Sequence, residues 1–180
     1  MEPILLFLDI DGVLSVSDTA IVDQEMPLDG SLVYPLPGAR AFLQAINRSP
    51  WIQPLWLSSW GERSYCWNDW AATEHWIHAH PLPCTQRQLA QTQFQAQNPE
   101  AKYLSVRWHS RHWNHAIVWI EDGFTQESKI WADQNPKVRL IDTDPLFKRH
   151  LRDAKRGLRQ WNIALICSTL GIEESIAVSL

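Results

Sequence analysis

Asp9 and Asp11 stand two residues apart at the end of the apolar run PILLFLD, with Gly12 directly after them. Charges are almost never fully buried without a partner, so a hydrophobic strand driven into two acids implies something that needs acids at its tip. A second acidic pair, Glu121 and Asp122, ends the run HAIVWIED, and the hydroxyls Ser58 and Ser59 end IQPLWLSS. Four carboxylates gathered at one place repel one another unless a hard cation sits among them, and oxygen-only ligands suit Mg²⁺. Carboxylates, hydroxyls and Mg²⁺ together are the chemistry of a phosphoryl group.

The elements that must carry these residues follow from hydrophobic patterning. PILLFLD is a short continuous apolar run, as expected for a strand buried on both faces. Residues 14–36 are polar and read as a long loop or a small hairpin. PGARAFLQAINRS opens with Pro37 and has a helical pattern, and IQPLWLSS reads as a second strand. A helix is expected from about Glu62 to His78, with Trp67, Trp70 and Trp76 roughly along one side. HAIVWIED and KVRLIDTD are a third and a fourth strand, HPLPCT is at most a short extra one, and a basic helix is expected from Pro145 to about Trp161. Strands alternating with helices give an α/β fold, three-layered and Rossmann-like, with a central parallel sheet covered on both sides. Such sheets bind ligands beyond the carboxyl ends of their strands, so the strand-end acids and hydroxyls should share one edge.

A length of 180 residues implies one domain, 1–180, with a core over about 4–162; the apolar stretch 163–180 fits no motif and reads as packing or a dimer contact. The net charge of −4 disfavours a general nucleic-acid coat, although local basic patches remain compatible with it. The N-terminus has no basic segment before its apolar run, which is too short for a signal peptide. No stretch approaches the ~18 uninterrupted apolar residues of a membrane span. Together with three irregularly spaced cysteines (Cys66, Cys84 and Cys167), this favours a reducing, cytoplasmic setting and no membrane partner. The 11 tryptophans mostly lie inside apolar runs, which favours core filling over base stacking. One stretch, TQRQLAQTQFQAQ at 85–97, is Gln-rich.

From residue 4 to about 145 the chain resembles the haloacid dehalogenase (HAD) superfamily of aspartate-nucleophile phosphohydrolases. The resemblance rests on four motifs in order: FLDIDGVL; Ser58 in LWLSSWGE; Lys102 in NPEAKYLSV; and Glu121–Asp122 in IVWIEDGF. With the later LIDTDP, it looks most like the compact HAD domains associated with RNA-repair proteins. The resemblance implies that Asp9 is the nucleophile, forming an aspartyl-phosphate, and that Asp11 is the general acid and base. It implies that Ser58 bonds a phosphoryl oxygen and that Lys102 neutralises nucleophile and phosphate. Mg²⁺ would be held by Asp9, the Asp11 carbonyl, Glu121 and Asp122, with Ser59 and Arg107 as further substrate-binding residues.

Two points stay open in the sequence. The fourth motif is Glu-Asp where Asp-Asp is commoner, so either acid is a candidate for direct metal contact. Arg107 competes with Lys102 for the third motif. Lys102 is favoured because Asn98–Pro99 reads as a helix cap followed by proline at the first helical position. That places a cation in the first turn against the helix dipole, which calls for a functional reason.

Neither 12–57 nor 59–101 has room for a large cap domain with its own core, and open members of the family are associated with bulky substrates. The helix FKRHLRDAKRGLRQ (Lys148, Arg149, Arg152, Lys155, Arg156 and Arg159) could form a basic surface with RWHSRHWNH. The expected activity is Mg²⁺-dependent phosphomonoester hydrolysis on nucleotide or nucleic-acid ends. The alternatives are a small-metabolite phosphatase and a non-catalytic phosphate- or nucleic-acid-binding module. Two histidine groups, His75/His78/His80 and His109/His112/His115, have spacings a zinc site can use, but no Cys or acid completes either set. The oligomeric state is open.

Overall fold

Ile4–Leu8 has no polar residue to turn toward water. In the computed structural model, which describes residues 1–15, 26–28, 31–79, 99–143 and 160–172, it is strand β1, buried along its whole length. A short antiparallel hairpin follows, β2 (Met26–Leu28) with β3 (Ser31–Val33), in the segment expected to hold a loop or hairpin. Helix α1 (Ala39–Arg48) leads to β4 (Ile52–Trp56), a 3₁₀ turn (Gly61–Ser64), α2 (Tyr65–Ala71) and the two-residue β5 (Ile77–His78). Then come α3 (Pro99–His109), β6 (Ala116–Glu121), α4 (Gln126–Gln134), β7 (Val138–Asp142) and α5 (Gln160–Leu170).

The main sheet has the order β5-β4-β1-β6-β7, with every neighbouring pair parallel. Adjacent residues of β1 face opposite layers, as strand geometry requires. Leu6 and Leu8 pack with Phe42, Leu43 and Ile46 of α1, Trp67 of α2, and Ile166, Cys167 and Leu170 of α5. Leu5 and Phe7 join Val106 of α3, with Trp131 and Ala132 of α4 beside them. The protein is thus an α/β, Rossmann-like sheet between helical layers. From β1 the chain travels outward through β4 to β5, then returns to β6 on the other side of β1. The order reverses between β1 and β6, and at such a switch point a crevice opens beyond the strand ends.

Four of the described tryptophans are buried in the core, and five more pack half-buried against it. Trp56, Trp67 and Trp119 are fully buried, Trp76 nearly so, and Trp108 is exposed. Asn68 Oδ1 accepts from Trp56 Nε1 at 2.7 Å, whereas the Nε1 atoms of Trp67 and Trp119 have no acceptor among the described residues.

Two expectations need correction. The helix expected from Glu62 to His78 is a 3₁₀ turn and α2, and it stops at Ala71. Ala72 takes the left-handed conformation (φ 54°), and Ile77–His78 then pairs with Leu55–Trp56. This edge strand lies just before HPLPCT, which is outside the described residues, as are the Gln-rich stretch and the basic segment 144–159. The core does not end near 162: Ile166, Cys167, Leu170 and Ile172 are part of it. Trp51 Nε1 also donates to the Leu170 carbonyl at 2.8 Å, tying α5 to the start of β4. Among the described residues no helix is long and apolar enough to cross a membrane.

Candidate active site

The turn after β1 decides where its acids go. The Val13, Leu14 and Ser15 N–H groups all donate to the Ile10 carbonyl, at 3.1, 2.8 and 3.0 Å. This tight closure keeps Ile10 fully buried between Asp9, which is 3% exposed, and Asp11, which is exposed. Gly12 sits at φ 75°, a conformation that favours glycine. Thr143, just past β7, fastens the turn: its Oγ1 donates to the Gly12 carbonyl at 2.8 Å, and its N–H donates to the Glu121 carbonyl at 2.9 Å.

Glu121 ends β6, the strand beside β1, and is as buried as Asp9. Helices in such folds run back against the strands, so their N-termini lie at this same edge. Lys102, three residues into α3, uses that placement. Its Nζ donates to Asp9 Oδ2 at 2.8 Å and to Glu121 Oε1 and Oε2 at 3.0 and 2.9 Å. These contacts offset the unfavourable position of a cation at a helix N-terminus. Burial opposes the Lys102 charge, but Asp9 and Glu121 outweigh it and hold its pKa above the ordinary lysine value. Burial first, and then the charge of Asp9, push the Glu121 carboxyl well above the usual range, with Lys102 acting in the opposite sense. Two carboxylates share one ammonium, and burial makes Glu121 hard to keep ionised.

Asp122 completes the acidic group. Asp9, Glu121 and Asp122 each offer a carboxylate oxygen, and these atoms lie within 4.8 Å of one another. Asp9 Oδ1 is buried and has no hydrogen-bond partner among the described residues, which is costly for a carboxylate oxygen. Hard oxygen donors, clustered negative charge and an unsatisfied carboxylate oxygen together fit a divalent cation such as Mg²⁺.

The remaining expected residues are distributed as follows. Ser58 is buried beyond the end of β4, the other neighbour of β1. Its Oγ accepts from the Trp60 N–H at 3.4 Å, and its carbonyl accepts from His78 Nε2 at 2.9 Å, which sets that nitrogen as the protonated one. Ser59 is exposed. Arg107 is exposed, donates to the Tyr103 hydroxyl at 2.9 Å, and lies 5.8 Å from the rings of Tyr103 and Trp131. Lys102, not Arg107, meets the acids. Among the histidines, His75 pairs with exposed Asp69 at 2.6 Å and His109 lies edge-on to Phe7, while His80 is outside the described residues.

Sequence reasoning placed His78 only in a zinc-like histidine group, and it missed Thr143 and Trp60, whose Nε1 donates to Asp11 Oδ2 at 3.0 Å. Only Thr143 had a signal, its place in LIDTDP after a strand.

Gly12 yields a prediction. A Cβ there would collide with the Asp122 carboxylate, coming within 2.6 Å of its Cγ. Gly12→Ala should therefore displace Asp122 and strain the backbone, destabilising the fold by about 1–3 kcal/mol in urea denaturation. An unchanged unfolding midpoint would show that the turn has slack not seen here.

No protein-family model matches the chain, and neither does any curated protein or solved structure.

Proposed function

We propose that the protein is a Mg²⁺-dependent phosphomonoesterase of the HAD type, with Asp9 as nucleophile. The observation that carries this reading is the state of Asp9. It is buried at the switch point with Oδ2 held by Lys102 and with no partner for Oδ1 among the described residues, beside Glu121 and Asp122. A structural aspartate at a strand end has no need of a buried ammonium and two further acids.

In the proposed reaction, an Asp9 carboxylate oxygen attacks phosphorus. The ester P–O bond breaks, and the leaving oxygen takes a proton from Asp11, which gives the alcohol and an aspartyl-phosphate. Water then yields a proton to the Asp11 carboxylate and attacks phosphorus, releasing phosphate and restoring Asp9. Lys102 holds Asp9 in place and offsets negative charge as the phosphoryl group approaches, and the Ser58 hydroxyl is the donor for a phosphoryl oxygen. Asp9, the Asp11 carbonyl, Glu121 and Asp122 would hold Mg²⁺, which when bound offsets the charge of the transferring phosphoryl group.

The small β2–β3 hairpin, the described part of the segment after the Asp11 turn, supports a site without a large cap. An open site suits a bulky substrate, a nucleotide or a nucleic-acid end. The basic run Lys148–Arg159, outside the described residues, adds sequence support for a polyanion.

Hydrolysis of p-nitrophenyl phosphate tests the reading. Turnover should disappear in EDTA and return with excess Mg²⁺. Asp122→Ala should raise the Mg²⁺ concentration for half activity by at least about tenfold. Hydrolysis indifferent to EDTA would remove the metal from the account. Mg²⁺-dependent binding of vanadate without turnover of any phosphoester would favour a binding module instead.

A further inference from the structure

We propose that Trp60 is a positioning residue for Asp11, fixing the carboxyl group that exchanges protons with the substrate. This inference rests on the phosphohydrolase reading and goes beyond it by adding a residue that reaches the chemistry only through another. Strands β1 and β4 are paired, and the Leu57 N–H continues their ladder to the Leu8 carbonyl at 2.9 Å. The turns that follow the two strands are therefore neighbours, and Trp60 in one meets Asp11 in the other across 49 positions of sequence.

The two partners are unequal in mobility. An exposed aspartate samples several rotamers unless something selects one. The indole is fixed on several sides. It packs against the main core cluster and meets Trp67 edge-on, with centroids 6.1 Å apart. The Arg63 guanidinium lies 5.2 Å from its ring centre, and its backbone N–H donates to Ser58 Oγ. The rigid partner thus favours one rotamer of the exposed one.

The donor's chemistry adds a constraint. An indole N–H donates and cannot accept, so Asp11 Oδ2 serves as acceptor and the exchanged proton is carried on Oδ1. Proton transfer depends on the reacting atoms lying within hydrogen-bond reach, and small displacements lower the rate steeply.

The leaving group supplies the test. Dinitrophenolate departs from phosphorus without a proton, whereas an alkoxide needs one. Holoenzyme with Mg²⁺ is assayed on dinitrophenyl phosphate and phenethyl phosphate, and the ratio of kcat/KM for the two is compared between variants. Because each ratio comes from one preparation, it is independent of the fraction folded. Trp60→Phe keeps an aromatic ring and removes the donor, and it should lower the phenethyl rate about tenfold more than the dinitrophenyl rate. Asp11→Asn should shift the ratio further in the same direction. Adding Trp60→Phe to Asp11→Asn should change the ratio by less than about twofold, because the residue acts through the one already removed.

If Trp60→Phe yields no folded protein, Trp60→Met carries the same expectation. An unchanged ratio in an active Trp60 variant, or a shift that multiplies with that of Asp11→Asn, overturns this inference and leaves the phosphohydrolase reading standing. A wild-type protein that hydrolyses neither ester overturns that reading, and this inference with it.

Discussion

Asp9→Asn is expected to lower turnover of a phosphoester by at least about 10,000-fold while leaving the melting temperature within a few degrees of wild type. The two halves of this result have separate causes. An amide has the shape of the carboxylate but no nucleophilic oxygen, and removing the nucleophile of a covalent mechanism leaves only binding and charge stabilisation. The fold tolerates the change because Lys102 keeps both Glu121 oxygens and one of the crowded acids loses its charge. Single-turnover and steady-state assays beside a thermal melt read both quantities. A variant that retains a tenth of the activity would reassign Asp9 to a structural role.

Lys102→Met is expected to have the second-largest effect, and here stability falls with activity. The ammonium is held by Asp9 and Glu121 with its side chain only 14% exposed. Removing one partner of a buried ion pair leaves the other uncompensated, at a cost of about 3–5 kcal/mol. Loss of a charge stabiliser at the reacting centre should lower kcat by about 100- to 1,000-fold. Glu121→Gln in the same chain should recover part of the stability, since a neutral amide needs no counter-charge. Mg²⁺ should recover part as well, because a ligand of the folded state alone stabilises it. Urea denaturation with and without Mg²⁺ measures each term. A Lys102→Met protein as stable as wild type would show that these acids do not depend on the ammonium.

What could be read from the sequence was what local patterning encodes. Ile4–Leu8, Ile52–Trp56, Ala116–Glu121 and Val138–Asp142 are compact apolar-rich runs that read as strands, the first and third of them buried almost throughout. The acids that end the first and third of these runs had to fall on one edge once the sheet was parallel. Lys102 was legible because Pro99 marks the start of α3, and a cation in the first turn has no local justification.

The rest depended on contacts between distant positions. The edge strand β5 is two residues long, too short for a period, and the break before it lies at Ala72, a non-glycine residue in the left-handed region. Nothing local marks such a break in a Trp-rich stretch that still reads as one helical face. Trp60 with Asp11, and Thr143 with Gly12, meet across 49 and 131 positions. Hydrogen bonds of that range become visible only when the strand order is known. The contribution of α5 was hidden for the same reason: its apolar composition was plain, but not the sheet face it covers.

The central claim is that Asp9 becomes covalently phosphorylated, and borohydride reduction tests it most directly, because an acyl phosphate is reduced to an alcohol while a free carboxylate is not. The protein is mixed with Mg²⁺ and a phosphoester, quenched during turnover and reduced. The tryptic peptide 1–40, which ends at Arg40, is then sequenced by mass spectrometry. Homoserine at position 9, dependent on both Mg²⁺ and substrate, is the expected result. Steady hydrolysis with Asp9 unmodified, or with the reduction falling on another acid, would contradict the account.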